Sequence, residues 1–354
     1  MNRLKFTITL LLLGISSFLI AQEELVTVKD SSTLARESLL STYTAGVDLI
    51  KHKEYREAIK TFNKVLVVDS EFEPAYFNLG IAYYELKEYD KADQFLEKAI
   101  LIKPDSTFSY YYRGMVYARQ KQLDKAIASY EKNVEINSNH AMGYYHLGML
   151  YFYKEDYNKA IEHFNTAISI DPKLVNAYND RGSAKRMIKD YNGAIRDYQS
   201  AINLNDKLAF VHNNLGSAYR LNGELDKAVQ SFTDAISTNK NYHIAFNNRG
   251  RSYLELSDFS KALQDFDKAI ELNPNYAMAY NNRGNAFYQK TDYEKAINDY
   301  DKAISINNTF EMAYLNRGIS KEMLRDETGA CKDWAKADEL GLASGKQYYE
   351  QICK

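Results

Sequence analysis

The chain is poor in the residue types that mark several protein classes. Its 354 residues include 4 prolines, 2 cysteines, 1 tryptophan and 16 glycines. So few prolines and glycines exclude collagen-like and low-complexity chains, and a 45% hydrophobic content excludes a disordered one. The formal net charge is −2, and no run of Lys or Arg is long enough to grip nucleic acid or anionic lipid. Nucleic acid is therefore not an expected partner.

Catalytic signatures are also missing from the sequence. The chain has no nucleophile elbow, phosphate loop or dinucleotide fingerprint. The histidines lack metal-ligand spacing and are scattered at His52, His140, His146, His163, His212 and His243. We therefore expect a protein that is not an enzyme, with no small-molecule substrate, no metal and no cofactor.

Only one long apolar run occurs, and it is N-terminal. It covers residues 6–20, follows Arg3 and Lys5, and gives way to polar residues after Ala21. Because this run is shorter than the roughly 20 residues that span a membrane, we predict an export signal at residues 1–21. An uncleaved anchor is the alternative, since Leu19 is large for its place before the cleavage site. The expected location is the periplasm or surface of a bacterium, with membrane attachment only through an uncleaved signal.

The main feature of the sequence is an internal repeat. Glycines recur every 34 residues, alanines follow them twelve residues later, and an aromatic residue or leucine follows four residues after that. The repeated glycines are Gly46, Gly80, Gly114, Gly148, Gly182, Gly216, Gly250, Gly284 and Gly318. With Leu39 as position 1 of the first unit, nine units cover residues 39–344. A linker at residues 22–38 precedes them, and a capping segment at residues 345–354 follows.

Each unit is predicted to form two amphipathic helices. Apolar residues fall mainly at positions 4, 7, 8, 10 and 11, and again at 17, 20, 21, 24, 27 and 28, which is helical spacing twice over. Glycine at position 8 and alanine at position 20 remove side chains where the two helices cross, so the backbones can approach closely. The period therefore predicts an all-α solenoid.

The eighth unit resembles the tetratricopeptide repeat, a family of 34-residue helix-turn-helix units. The matching residues are Tyr280, Gly284, Phe287, Ala296, Tyr300 and Ala303. The resemblance extends over all nine units, and its departures are Thr42, Asp93, Lys185, Lys321 and Glu327. It implies a right-handed superhelix whose concave face is lined by the first helix of each unit, and a role in binding peptides or partner proteins.

Arginine occupies position 7 in five units, where the family usually has an apolar residue. In four of these units position 23 is aspartate, which predicts an ion pair between the two helices of one unit. The predicted pairs are Arg181 with Asp197, Arg249 with Asp265, Arg283 with Asp299, and Arg317 with Asp333. Arg113 faces Ser129 in this scheme, so it is the arginine most available for another role.

The expected concave face is rich in amides and arginines from the fifth unit onward. A ladder of asparagines can bond the N–H and C=O groups of an extended peptide whatever its side chains, so we predict a peptide-binding groove. Its residues are Asn78, Asn179, Asn213, Asn214, Asn247, Asn248, Asn281, Asn282 and Asn316, together with Arg186, Arg220 and Arg251. The alternative is that these amides only cap and bridge neighbouring helices.

Three aromatic residues at position 5 complete the predicted groove. Phe77, Tyr111 and Tyr145 recur 34 residues apart on the expected solvent-facing side of the first helix. An exposed apolar stripe is usually an interaction surface, so we predict that it binds a protein partner. The alternatives are a glycan or cell-wall binder, since stacked tyrosines suit sugar faces, and an envelope protein that assembles through its convex face or ends.

The two cysteines, Cys331 and Cys353, are predicted to form a disulfide. Cys331 occupies position 21, which should face a following helix at about residues 343–352. An exported chain meets an oxidising compartment, where such a pair is oxidised and would staple a capping helix over the last unit. A metal site is the alternative. The sequence as a whole thus predicts an exported scaffold that binds an extended peptide or partner protein.

Overall fold

Nineteen helices make up most of residues 31–353, which are the residues that the computed structural model describes. No strand occurs within this range. The predicted export signal and residues 22–30 of the predicted linker lie outside it. Helix α1 (Ser31–Lys51) begins within the predicted linker, so residues 31–38 extend the first helix of the first repeat. None of the described helices combines the length and the apolar character needed to cross a membrane.

The chain forms two compact units, with the boundary after Gly143 inside α7. The helices up to this boundary are α1, α2 (Tyr55–Val68), α3 (Glu73–Glu85), α4 (Tyr89–Ile102), α5 (Thr107–Arg119), α6 (Leu123–Ile136) and α7 (Ala141–Tyr153). The next helices are α8 (Tyr157–Ile170), α9 (Val175–Met187), α10 (Tyr191–Leu204), α11 (Ala209–Leu221), α12 (Leu225–Thr238) and α13 (His243–Glu255). The last six are α14 (Phe259–Leu272), α15 (Ala277–Gln289), α16 (Tyr293–Ile306), α17 (Glu311–Met323), α18 (Glu327–Glu339) and α19 (Ala343–Ile352).

Within each compact unit, every helix packs against the next one along the chain. Odd-numbered helices up to α17 are the first helices of the repeats, and even-numbered helices are the second. Within each compact unit, first helices also contact the first helices of neighbouring repeats. The predicted all-α solenoid is confirmed, and α19 occupies the place expected for the capping helix.

The glycine at position 8 lies against the ring or leucine at position 24 of the same repeat. A Cβ atom on Gly250 would come within 2.7 Å of the Phe266 ring, and one on Gly114 within 2.8 Å of the Tyr130 ring. The position 24 side chains are buried, as are the alanines at position 20. The side chain at position 24 therefore fills the space that the glycine leaves. Any larger residue at position 8 would displace that side chain.

The turn between the two helices has the same backbone in every repeat. Position 15 has a positive φ in all nine repeats, as in Lys189 (φ 65°), and only Gly223 (φ 82°) is a glycine. In five repeats an aspartate follows, and its carboxylate caps the second helix; Asp190 Oδ1, for example, accepts a hydrogen bond from the Gly193 backbone N–H at 2.9 Å. The left-handed residue and the cap together fix where each second helix begins.

Candidate functional site

The four predicted Arg–Asp pairs are present, and each is bidentate. Arg249 donates from Nε and Nη2 to the two carboxylate oxygens of Asp265, at 2.8 and 2.7 Å. The same two bonds join Arg181 to Asp197, Arg283 to Asp299, and Arg317 to Asp333. Burial raises the pKa of Asp299, whereas the hydrogen bonds from Arg283 to Asp299 raise the pKa of Arg283. Because arginine keeps its proton at any physiological pH, the pair is ionised and the burial cost offsets part of its attraction.

Each of these arginines also reaches back to the preceding repeat. The third nitrogen, Nη1, donates to the residue at position 25 of that repeat: Arg283 bonds Asp267 Oδ1 at 2.6 Å, and Arg249 bonds Thr233 Oγ1 at 3.0 Å. Arg181 and Arg317 do the same with Asn165 and Asp301. The guanidinium at position 7 therefore bonds position 23 of its own repeat and position 25 of the preceding repeat. These bonds fix the spacing of the two repeats.

The prediction that Arg113 lacks an acidic partner is wrong. Its Nε donates to Asp93 at 2.6 Å and its Nη2 to Glu97 at 3.1 Å, both on the second helix of the preceding repeat. Asp93 is one of the departures from the family pattern, and this contact accounts for it. The sequence scheme compared positions within a single repeat, so it could not identify a partner in the previous one.

Two further departures, Lys185 and Lys321, take part in the same network. Lys185 Nζ lies 2.9 Å from Asp197, and Lys321 Nζ lies 2.8 Å from Asp333. Each of these two buried aspartates therefore faces a lysine as well as its arginine. The lysines replace the ring or other apolar group that fills position 11 elsewhere, and their stems pack where that group would lie.

Asparagines at position 6 donate hydrogen bonds to position 5 of the preceding repeat. Asn248 Nδ2 donates to Asn213 Oδ1 at 3.0 Å, and Asn282 Nδ2 donates to Asn247 Oδ1 at 2.9 Å. Asn214 and Asn316 donate in the same way to Asn179 and Asn281, both at 3.0 Å. In the N-terminal compact unit, Asn78 donates to the Tyr43 hydroxyl at 3.1 Å. We call this set of inter-repeat bonds the amide ladder.

The prediction that the position 5 asparagines face an open groove is wrong. Asn247 has no exposed surface, and Asn179, Asn213 and Asn281 are also buried. The first helix of the next repeat covers position 5, which a helical wheel drawn for one repeat places on the open side. The hydrogen bonds of these asparagines instead agree with the alternative prediction, in which the amides bridge neighbouring helices. Asn78 and Asn282, at position 6, are buried as well, so the prediction is also wrong for these two residues. A peptide contact by the half-exposed Asn214, Asn248 and Asn316 stays a prediction.

The aromatic residues at position 5 do not form an exposed stripe either. Tyr145 is buried and donates from its hydroxyl to Asp180 Oδ2 at 2.9 Å. Tyr111 and Phe77 are half-buried, and both meet the Tyr112 ring, at 5.7 and 5.5 Å between centroids. Burial raises the pKa of Tyr111 to about 12. Phe77 and Tyr145 thus contact the first helix of the next repeat, as the position 5 asparagines do, whereas the contact of Tyr111 with Tyr112 lies within one helix.

Positions 2, 6, 9, 12 and 13 of the first helices in residues 144–353 form the surface that is open to a partner, which we call the first-helix face. It carries the arginine strip, which consists of Arg186, Arg220 and Arg251. Arg220 Nη1 donates to Glu255 Oε1 at 2.7 Å. Burial and the neighbouring charge of Arg220 lower the pKa of Arg251, and the charge of Glu255 offsets part of that effect; Arg251 forms no hydrogen bond with any described residue. The Nε of Arg186 is buried, also without a hydrogen-bond partner in the described range.

Two cavities lie on the first-helix face, one before and one after the arginine strip in chain order. The first cavity, of about 270 Å³, is lined by Met149, Phe152, Tyr153, Phe164, Asp180 and Ser183. The second cavity, of about 290 Å³, is lined by Leu254, Asn285, Tyr288, Gln289, Tyr300, Asn316 and Ile319. The first is bounded mainly by apolar atoms, whereas the second mixes amides and tyrosines. The sequence prediction named neither cavity.

Exposed apolar side chains border this face. They stand at positions 2 and 13 of the first helices and include Phe210, Met278, Met187, Leu221 and Met323. Each is more than one third exposed, although large apolar side chains are usually buried. Exposed apolar side chains that lie close together are typical of surfaces that contact other proteins.

Comparison with known protein families identifies the repeat. Tetratricopeptide repeat models match residues 74–106, 108–140, 141–174 and 211–242, and a TPR repeat model matches residues 250–291 and 284–324. Together these matches cover more than half of the chain. The chain belongs to the tetratricopeptide repeat family. Proteins of this family are generally non-enzymatic scaffolds for protein–protein interaction.

Solved tetratricopeptide repeat structures share the fold. A tetratricopeptide repeat protein from Parabacteroides merdae is 19% identical, with a TM-score of 0.56 over 70% of this chain and 98% of that one. The pilF protein of Pseudomonas aeruginosa is 20% identical, with a TM-score of 0.51 over 60% and 95%. YrrB, a TPR protein with an unusual peptide-binding site, is 26% identical, with a TM-score of 0.47 over 52% and 95%. No curated protein sequence matches the chain.

The last tetratricopeptide repeat is closed by α19. Its Tyr348 ring stacks on the buried Trp334 ring with 5.1 Å between centroids. The Cα atoms of Cys331 and Cys353 are 5.8 Å apart, a distance that suits a disulfide. Formation of this bond in the exported chain stays a prediction. Across residues 31–353, no group of three His, Cys, Asp or Glu side chains is placed to hold a metal ion.

Proposed function

We propose that this tetratricopeptide repeat protein is an exported scaffold that holds an extended segment of a partner protein against the first-helix face. The arginine strip carries the proposal. Arg251 is half-buried beside Arg220 and has no acceptor in the described part of the chain. A partly desolvated cation without a partner is unfavourable, and a carboxylate on the partner segment would supply the missing acceptor. The role is one of binding and not of catalysis.

The two cavities support an extended rather than a compact ligand. They flank the arginine strip, so a segment that crosses the strip can place a side chain in each. The amide ladder runs beneath the same face, where it fixes the spacing of the first helices. A surface that is already rigid loses little conformational entropy when a ligand binds. The ladder thus supports binding indirectly, through the geometry of the helices.

The binding test uses two immobilised peptide libraries of equal length, with random residues around a fixed central glutamate or a fixed central glutamine. We expect the purified full chain to retain the glutamate library about tenfold more strongly, since a charge-assisted bond to arginine adds about 1.4 kcal/mol or more. The Arg251→Gln variant should lose this preference. The matched control is Arg196→Gln, which removes an exposed arginine from a second helix. Equal retention of both libraries by the unmodified protein would contradict the proposal.

Export is proposed from the N-terminal residues and the cysteine pair. An apolar run behind Arg3 and Lys5 is typical of an export signal, and Cys331 and Cys353 lie within reach of each other. The test is the mass of the protein recovered from the cell envelope, measured with and without reductant. Loss of residues 1–21 and a gain of two hydrogen masses on reduction are expected. A full-length, already reduced chain in the cytosol would contradict export.

A second candidate function, assembly, is favoured by an exposed apolar patch in the N-terminal compact unit. Val67 and Val68 end α2, Leu101 and Ile102 end α4, and Val67 is 87% exposed. Most later repeats carry one polar residue at these two positions. If the patch mediates self-association, Val67→Ser with Leu101→Ser should lower the molecular mass measured by sedimentation. An unchanged monomeric mass in both proteins would exclude this second candidate.

A further inference from the structure

The first cavity of the first-helix face contains a half-buried carboxylate that has no hydrogen bond or ion pair with a cationic group of the described residues. Asp180 stands at position 6 of α9 and lines the cavity with Ser183. Its Oδ2 accepts a hydrogen bond from the Tyr145 hydroxyl at 2.9 Å, and its Oδ1 accepts one from Asn179 Nδ2 at 2.9 Å. Both donors are neutral groups. Burial raises the pKa of Asp180, and the two hydrogen bonds offset only part of that effect.

This environment differs from that of the four aspartates that are fully buried. Asp197, Asp265, Asp299 and Asp333 each receive two hydrogen bonds from an arginine. Asp180 has only neutral donors, and it also lines the first cavity. Arg186, on the same helix, acts on the Tyr198 hydroxyl rather than on Asp180. The negative charge of Asp180 is thus left uncompensated at the floor of the cavity.

The walls of the cavity suit a long side chain with a cationic end. Met149 and Phe152 provide apolar surface for a methylene stem, and the Tyr153 ring is 70% exposed at the rim. Aromatic faces attract cations, and a carboxylate attracts them more strongly. Arginine and lysine combine an apolar stem with a charged head, and no other side chain does so at the same length.

We propose that the first cavity binds an arginine or lysine side chain of the partner segment, with the cationic group on Asp180 and the stem against Met149 and Phe152. This inference rests on the proposed function and adds the chemistry of one subsite to it. Together with the arginine strip, it assigns a charge pattern to the partner. A basic residue meets α7 and α9, and an acidic residue meets α11 and α13.

The subsite is tested with a small probe, so that its outcome does not depend on peptide capture. The full chain is labelled with ¹³C at the methionine methyl groups and titrated with N-acetyl-arginine amide. N-acetyl-citrulline amide, which has nearly the same shape without the charge, is the control. We expect the arginine probe to shift the Met149 methyl signal at a concentration about tenfold lower than the citrulline probe, because only the former forms a charge-assisted bond to Asp180.

Two variants separate charge from structure. Asp180→Asn removes the charge at constant size and should abolish the difference between the two probes. Tyr145→Phe removes one hydrogen bond to Asp180 but leaves its charge, so it should keep the preference for arginine. A circular dichroism melt of each variant checks that the repeats remain folded.

The inference is overturned if arginine and citrulline shift the Met149 signal equally, if neither shifts it, or if Asp180→Asn keeps the preference. It is also overturned if Tyr145→Phe folds and loses the preference, since the hydroxyl and not the charge would then be responsible. Failure of the proposed function looks different: the glutamate and glutamine libraries would be retained equally, whatever the response of Met149.

Discussion

The two compact units join their repeats in different ways, although they use the same 34-residue frame. Residues 31–143 use mainly rings: Phe77 and Tyr84 both meet the Tyr112 ring of the next repeat, at 5.5 and 6.3 Å between centroids. Residues 144–353 use mainly hydrogen bonds: those of the amide ladder, and those from the position 7 arginines to position 25 of the preceding repeat. The contact within a repeat is nevertheless the same in both, because glycine lies against position 24 throughout.

The difference shows that a repeat specifies its own fold and its connection to neighbours through separate positions. Positions 8, 20 and 24 define the helix pair, whereas positions 5, 6 and 7 define how one pair meets the next. Rings gain from burial of apolar area and tolerate several geometries, whereas amides and forked guanidinium groups require one. The hydrogen-bonded compact unit is therefore the one in which we expect a more sharply defined binding surface.

The largest expected effect comes from breaking the contact that the two compact units share. Gly114→Val and Gly250→Val each place a branched side chain into a ring that lies less than 3 Å from the new Cβ. We expect each to lower the free energy of unfolding by about 3 kcal/mol, as overpacking does. Urea unfolding measures both, and Ala128→Val on an exposed site is the control. A large loss at only one of the two glycines would contradict the common crossing.

A smaller effect separates the two kinds of connection. Asn247→Ala removes the donor to Asn248 Oδ1 and the buried acceptor of Asn282 Nδ2, so we expect the free energy of unfolding to fall by about 2 kcal/mol. Tyr43→Phe removes one acceptor for Asn78 but keeps the ring contacts, and it should cost only about 1 kcal/mol. Local hydrogen exchange in each compact unit is the measurement. If the two losses are equal, hydrogen bonds between repeats contribute as much to stability in residues 31–143 as in residues 144–353.

The pattern of connections also explains what the sequence could predict. The 34-residue period is enough to predict the helix pairs. The joint occurrence of Arg249 and Asp265 within one repeat is enough to predict their ion pair. The bond from Arg249 to Thr233 could not be predicted in this way, because it depends on the angle between two repeats. Asn247 was assigned to an open face for the same reason. A single repeat carries no information about what its neighbour covers.

Opposite responses to acid are expected from one group in each compact unit. Burial lowers the pKa of His140 below 6.5 in the folded protein. The uncharged His140 therefore does not reduce the free energy of unfolding above pH 6.5, and this free energy falls as the pH drops from 6.5 toward the folded pKa. Asp180 has its pKa raised above 3.8 by burial, so the cost of its charge is present at neutral pH and is relieved as pH falls through the folded pKa.

Hydrogen exchange at pH 7 and at pH 5 tests this pair of expectations. His140 Nδ1 lies 2.7 Å from Asn133 Oδ1. After correction for intrinsic rates, backbone amides around these two residues should exchange faster at pH 5 than at pH 7. Peptides around Asp180 should not, and Asp180→Asn should remove the gain in stability on acidification. The same direction of change in both compact units would contradict the assignment of these groups.

The smallest effect concerns the turn that is common to both compact units. Lys87 (φ 62°) and Lys189 (φ 65°) hold a conformation that glycine adopts without steric cost. Lys87→Gly and Lys189→Gly should each raise the free energy of unfolding by about 0.5 kcal/mol, because the relieved backbone strain slightly exceeds the added entropy of the unfolded chain. Thermal unfolding of the single and double variants measures this. A gain in only one of them would show that the two turns are not equivalent.

The regularity of the amide ladder bears on how the length of such a chain can change. From Asn214 to Asn316, position 6 of each repeat donates to position 5 of the previous one, and both positions are asparagine from residue 213 to residue 282. If residues 243–276 were excised, Asn282 would face Asn213, and Arg283 would face Thr233, with donors and acceptors still matched. Duplication of the same segment would leave every junction equally complete. Whole repeats can therefore be gained or lost in this part of the chain without leaving an amide unpaired.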